Sequence, residues 1–224
     1  MTLITHLVNK DFAVIAGEGC TMTDNKLFDS KLRKVYLNHL CCVAFAGDVW
    51  ITEDLAQQGI YVPNTIEKFL ADKLHLEDCL SFGQALTNVL IQNNQQLDTE
   101  LFISMRLSDR IESGFIQTKD KTFCQLASED NSLILRFSKH TQLASKVLYD
   151  IFYDLWHYNS HTVNNRTLEF NPEIHTSAFI SNVIDKFYER ILKISILFDG
   201  FTVGKSWDIV LIEKTQIKFL KKKT

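Results

Sequence analysis

Hydrophobic and polar positions alternate in period along the chain in a way that separates strands from helices. Leu3–Val8 alternates loosely and is rich in β-formers, Asn9-Lys10-Asp11 reads as a turn, and Phe12–Ala16 is a continuous apolar run. That pattern predicts an N-terminal hairpin whose second strand is buried on both faces and ends at Gly17-Glu18-Gly19. Lys34–Leu37 and His39–Ala46 read as two further strands, the latter stopped by Gly47-Asp48. Helical periodicity then predicts helices over Val49–Gln58, Thr65–Leu74 and Ser81–Gln96, the last with Phe82, Ala85, Leu86, Val89 and Leu90 on one face.

Strand patterns return at Glu100–Arg106, Ile111–Gln117, Thr122–Leu126 and Leu133–Phe137, with Leu107–Arg110 and Thr118–Lys121 as hairpin turns. Two long helices are predicted over Gln142–Trp156 and Thr176–Phe198, the second with Phe179, Val183, Phe187, Ile191 and Ile194 inward. The polar segment Asn159–Glu173 between them reads as a loop. Strands Trp207–Glu213 and Gln216–Leu220 close the chain around Lys214-Thr215. Sequential blocks of strands and helices favour antiparallel sheets with helix pairs on their outer faces, an α+β architecture in one domain spanning residues 1–224.

Composition narrows this picture. The chain has 224 residues, 46% hydrophobic and 23% charged, with only 8 Gly and 2 Pro, which suits a packed core and excludes a fibrous or disordered chain. The net charge of −3 gives no basis for binding a nucleic acid, and Lys221-Lys222-Lys223 reads as a solvated terminus. Cys20, Cys41, Cys42, Cys79 and Cys124 are odd in number and form no C-x-x-C, which points to reduced thiols in a cytoplasmic protein. The N-terminus lacks the features of a signal peptide, and no apolar run is long enough for a membrane-spanning helix. The seven histidines show no metal-ligand spacing; His157 and His161 are four apart, with His161 placed past the helix end. No P-loop or G-x-G-x-x-G is present, so the residues call for no cofactor and supply no ATPase.

The candidate chemistry begins at Thr2. Removal of Met1 leaves a threonine whose free α-amine, with an ordinary pKa of about 7.7–8.0, can accept the proton of its own hydroxyl. Glu18 follows Thr2 by 16 residues and Lys34 follows it by 32. A cation beside the hydroxyl and amine lowers their pKa values, and an acid offsets the cost of burying that cation.

With Lys10-Asp11, Val14–Gly19 and Ala44-Phe45-Ala46-Gly47-Asp48, this order resembles the opening of proteasome β-subunits and of the HslV-type peptidase, members of the N-terminal-nucleophile hydrolase superfamily. The resemblance implies a four-layer αββα sandwich and a homo-oligomeric ring served by a separate ATPase regulator, acting on peptide or unfolded-protein substrates. It implies that Gly47 offers a backbone N–H to the oxyanion, a contact worth roughly 3–4 kcal/mol in other hydrolases. Downstream, Asn131–Ser138 resembles the strand leading to the family's Gly-Ser-Gly turn, with Ser138 next to the terminal amine, although Phe137 and Lys139 replace the glycines. Asp199-Gly200-Phe201-Thr202 resembles the family's Asp-x-x-Ser and places Asp199 and Thr202 at the amine. Cys20, Thr21, Met22 and Phe45 would line the substrate pocket. The same residue set also serves an amidase or a peptide ligase, and the altered Phe137-Ser138-Lys139 turn suits a catalytically silent ring subunit.

Overall fold

The structure, a computed structural model, describes residues 2–19, 21–23, 26–29, 32–49, 62–72, 78–92, 97–128, 132–139, 145–157, 168–197 and 204–223. In chain order the elements are β1 (Ile4–Val8), β2 (Phe12–Glu18), β3 (Thr21–Thr23), β4 (Lys26–Asp29), β5 (Val35–Leu37), β6 (Cys41–Gly47), α1 (Val62–Ala71), α2 (Cys79–Ile91), β7 (Thr99–Arg106), β8 (Ile111–Gln117), β9 (Thr122–Leu126), β10 (Ile134–Phe137), α3 (Ser145–His157), α4 (Ser177–Leu197), β11 (Trp207–Glu213) and β12 (Ile217–Lys221). One antiparallel sheet has the order β10-β1-β2-β11-β12 and the other β5-β6-β7-β8-β9; β3 and β4 pair as a small hairpin.

Burial on both faces explains the continuous apolar strands. Along β2, Phe12, Val14 and Ala16 face a core shared with α3 and α4, whereas Ala13 and Ile15 face the other sheet. Along β6, Cys42, Ala44 and Ala46 meet that same inter-sheet core, whereas Cys41, Val43 and Phe45 pack under α1 and α2. Side chains of a strand alternate in direction, so each of these strands supplies two cores at once. The layers therefore run α3/α4, first sheet, second sheet, α1/α2: the αββα sandwich of N-terminal-nucleophile hydrolases.

Several boundaries move for identifiable reasons. β2 continues through Glu18 because Trp207 pairs with it on β11. β6 begins at Cys41, since the Asn38 side chain accepts from the N–H groups of Leu40 and Cys41 at 2.8 Å each and turns the preceding residues. α2 starts early because Asp78 caps it, accepting from Ser81 N at 2.7 Å. Val89, expected inward, is 38% exposed at the edge of the apolar stripe. The helix expected over Val49–Gln58 lies, after Val49, outside the described residues. The basic tail, expected to be solvated, is exposed at Lys222 but docked on either side of it: Lys221 Nζ contacts Asp185 at 2.7 Å and lies over the Trp207 ring, and Lys223 N donates to Asp208 at 2.7 Å. Among the described residues, no helix is long and apolar enough to cross a membrane.

Candidate active site

The N-terminal hairpin brings Thr2 and Glu18 together. Its turn closes through Asn9 N to Phe12 O at 2.8 Å and Asp11 N to the Asn9 side chain at 3.1 Å. The register Ile4↔Gly17 then carries Thr2 and Leu3 alongside the end of β2. Glu18 N donates to Leu3 O at 3.3 Å, and Leu3 N donates to Glu18 Oε1 at 3.1 Å. Glu18 Oε2 accepts from Gly204 N at 2.9 Å.

Lys34 arrives from the second sheet. It precedes β5, where Phe45 N donates to its carbonyl at 3.2 Å. The close approach of β5 depends on Gly17: a Cβ there would stand 2.7 Å from Ile4 Cδ1 and 2.8 Å from Val35 Cγ2. Lys34 Nζ donates to Thr2 Oγ1 in a short hydrogen bond and lies 3.7 Å from Glu18 Oε1. Thr2, Glu18 and Lys34 are 3%, 0% and 1% exposed, so the ammonium has exchanged bulk water for a hydroxyl and a carboxylate. A cation is stable at such depth only with partners of this kind.

Ser138 completes the group from β10. Its hydroxyl donates to Thr2 O at 2.7 Å and accepts from Ile4 N at 3.1 Å, while its own N–H donates to Ile4 O at 3.1 Å. These contacts form although Phe137 and Lys139 stand where glycines were expected. Gly47 ends β6 in the left-handed region at φ 116°, a conformation that favours glycine. Sequence reasoning missed Tyr188. This residue of α4 is fully buried, and its hydroxyl lies 3.2 Å from Leu3 O and 3.0 Å from Ala16 O. Burial raises the phenol's pKa further above its ordinary value, so it remains a neutral donor bridging the first two strands. Its signal was the helical stripe Ile180, Ile184, Tyr188, one position beside the stripe through Phe187.

The pocket predictions fare differently. Phe45 is 0% exposed, stacked on Tyr36 with ring centroids 6.4 Å apart, in the core under α1 and α2. Thr21 and Met22 belong to β3, which pairs with β4. Cys20, Asp199 and Thr202 lie outside the described residues. Among the described residues, no group of three or more His, Cys, Asp or Glu side chains could hold a metal ion.

No protein-family model matches the chain, and no curated protein matches it. Among solved structures it is similar to an Anbu (Gly-1) mutant from Hyphomicrobium sp. strain MC1, with a TM-score of 0.64 and 11% identity over 100% of this chain and 87% of that one. The family assignment read from residues 2–48 is therefore corrected: motif spacing resembles proteasome β-subunits and the HslV-type peptidase, but no family match supports membership of either. At this identity the structural likeness speaks for the fold alone, which is the αββα sandwich of the N-terminal-nucleophile hydrolases.

Proposed function

We propose that the protein is an N-terminal threonine hydrolase that cleaves peptide bonds once Thr2 carries a free α-amine. The observation that carries this reading is the buried contact of Lys34 Nζ with Thr2 Oγ1, backed by Glu18 at 3.7 Å. A lysine held against a threonine hydroxyl favours the alkoxide and has no comparable structural use.

In the proposed sequence, the α-amine takes the hydroxyl proton as Thr2 Oγ1 attacks the substrate carbonyl. The Gly47 N–H receives the developing oxyanion. Collapse breaks the C–N bond, the amine returns its proton to the leaving group, and an acyl ester remains on Thr2. Water then attacks the ester with the amine again serving as base, the acyl–Oγ1 bond breaks, the amine returns the proton to Thr2 Oγ1, and the carboxylic acid leaves. Lys34 stabilises negative charge on Oγ1, Glu18 holds Lys34 and the Leu3 amide, and Ser138 fixes the Thr2 carbonyl. Asp199 and Thr202 are assigned to the amine by their motif.

Intact mass with and without a peptide epoxyketone tests this, since ring closure by that warhead needs both the amine and the hydroxyl. Loss of Met1 with a one-to-one adduct, absent in Thr2→Ala, is the expected result. Retention of Met1 without an adduct would overturn the reading.

A further inference from the structure

The start of β7 holds two separate pieces of the site. On one side it grips the Gly47 turn. Asp48 N donates to Asp98 O at 3.2 Å, Asp98 N donates to Asp48 Oδ2 at 3.0 Å, and Thr99 Oγ1 donates to Asp48 O at 3.1 Å, while Gly47 pairs with Thr99 across the ladder. On the other side it grips the Ser138 turn, which belongs to the opposite sheet. Glu100 is fully buried. Its Oε1 contacts Arg136 Nη2 at 2.5 Å, and its Oε2 accepts from Lys139 N at 2.9 Å. Arg136 is two residues before Ser138 and Lys139 is one after it. The Arg136 guanidinium carbon lies over Phe115, 3.3 Å from the ring centroid, so its position is set by packing as well as charge. Lys139 Nζ adds an ion pair with Asp98 at 3.1 Å.

We infer that Glu100 is a positioning residue of the active site: with Arg136 it fixes the Ser138 turn, and through Asp98 and Thr99 the same strand end sets that turn in register with the Gly47 oxyanion donor. A buried carboxylate here braces a turn that lacks the expected glycines. It accepts the Lys139 N–H and orients the backbone so that Ser138 Oγ meets both Thr2 O and Ile4 N. An arginine from the facing sheet and a backbone amide both satisfy the buried carboxyl oxygens. Nucleophile support and oxyanion donor come from different sheets, so their separation depends on a link between the sheets. A misplacement of about 1 Å at such a site can cost on the order of 100-fold in rate.

This inference rests on the threonine-hydrolase reading for its catalytic consequence but not for its geometry, and the test separates the two. In Glu100→Gln, kcat on a fluorogenic peptide is expected to fall about 10- to 100-fold with KM within about twofold. Amide exchange followed by NMR should quicken at Ile4 and Lys139 while Ile103 and Ile116 in the sheet core keep their protection. A merely structural role would lower protection throughout, through global opening. Arg136→Lys keeps a cation beside Glu100 and should lose less, about 3- to 10-fold in kcat, with the same two amides affected; it also serves if Glu100→Gln does not fold. Wild-type kcat in the variants, or exchange that changes uniformly or not at all, would overturn the inference. If the unmodified protein takes no epoxyketone label, the hydrolase reading fails. The amide pattern then still decides the clamp: local quickening sustains it, and its absence overturns it.

Discussion

A lysine ammonium that is 1% exposed survives folding only because other groups replace its water, and at Lys34 these include the Thr2 hydroxyl and the Glu18 carboxylate. Glu18 is equally committed, since it also accepts from the Leu3 and Gly204 amides. Removing one member strands the other. Lys34→Met is therefore expected to abolish peptide cleavage and to destabilise the fold by about 3–5 kcal/mol, the cost of an unpaired buried charge. Glu18→Gln combined with Lys34→Met should recover most of that stability in urea titrations without recovering any activity. A single variant as stable as the parent would show that the pair is not buried as described. This residue trio was legible in the sequence because its spacing resembled that of a known family; the hairpin register brings Thr2 to Glu18, whereas Lys34 comes from the second sheet. Which core receives Phe45 was not legible: adjacent residues of one strand face opposite cores, and proximity to Gly47 in sequence says nothing about which.

At the scale of elements, the site depends on how closely β1, β2 and β5 approach. Gly17 sits where Ile4 and Val35 converge, and both would stand within 3 Å of an added methyl group. Gly17→Ala should cost about 1–3 kcal/mol in overpacking. It should also slow epoxyketone labelling of Thr2, because β5 delivers Lys34. A thermal midpoint equal to the parent's together with unchanged labelling would refute this. The helices were less legible than the strands. Their periodicity is clear in the sequence, but their ends are set by caps and by neighbouring residues, as Asp78 shows for α2.

For the whole molecule, the two sheets are joined by polar contacts as well as by the apolar layer around Phe102 and Ile15. His6 on β1 is fully buried there, its Nε2 2.8 Å from Ser104 Oγ, which in turn lies 2.8 Å from Ser113 Oγ. Burial, and secondarily the nearby Arg136 guanidinium, lower the imidazole's pKa from 6.5 to about 3. Between these values the unfolded chain binds a proton that the native state does not. The contribution is thus fully present above about pH 6.5 and is lost as pH falls toward 3, by about 1.4 kcal/mol per pH unit. Urea midpoints measured at pH 7, 5 and 4 should fall less steeply in His6→Gln than in the parent. Equal slopes would exclude this histidine as a source of acid sensitivity.

The sequence by itself determined the order of strand and helix blocks, the antiparallel hairpins and the Thr2, Glu18 and Lys34 spacing. Each of these follows from local periodicity, or from residues joined through one hairpin and its neighbouring strand. Only the tertiary structure decided that Glu100, which the sequence shows as an ordinary strand residue, meets Arg136 across the sheets, and that Tyr188 of α4 reaches the first two strands. These contacts join positions 36 and 185 residues apart. They depend on how whole layers stack, and periodicity within one segment carries no record of the partner that stacking will bring to it.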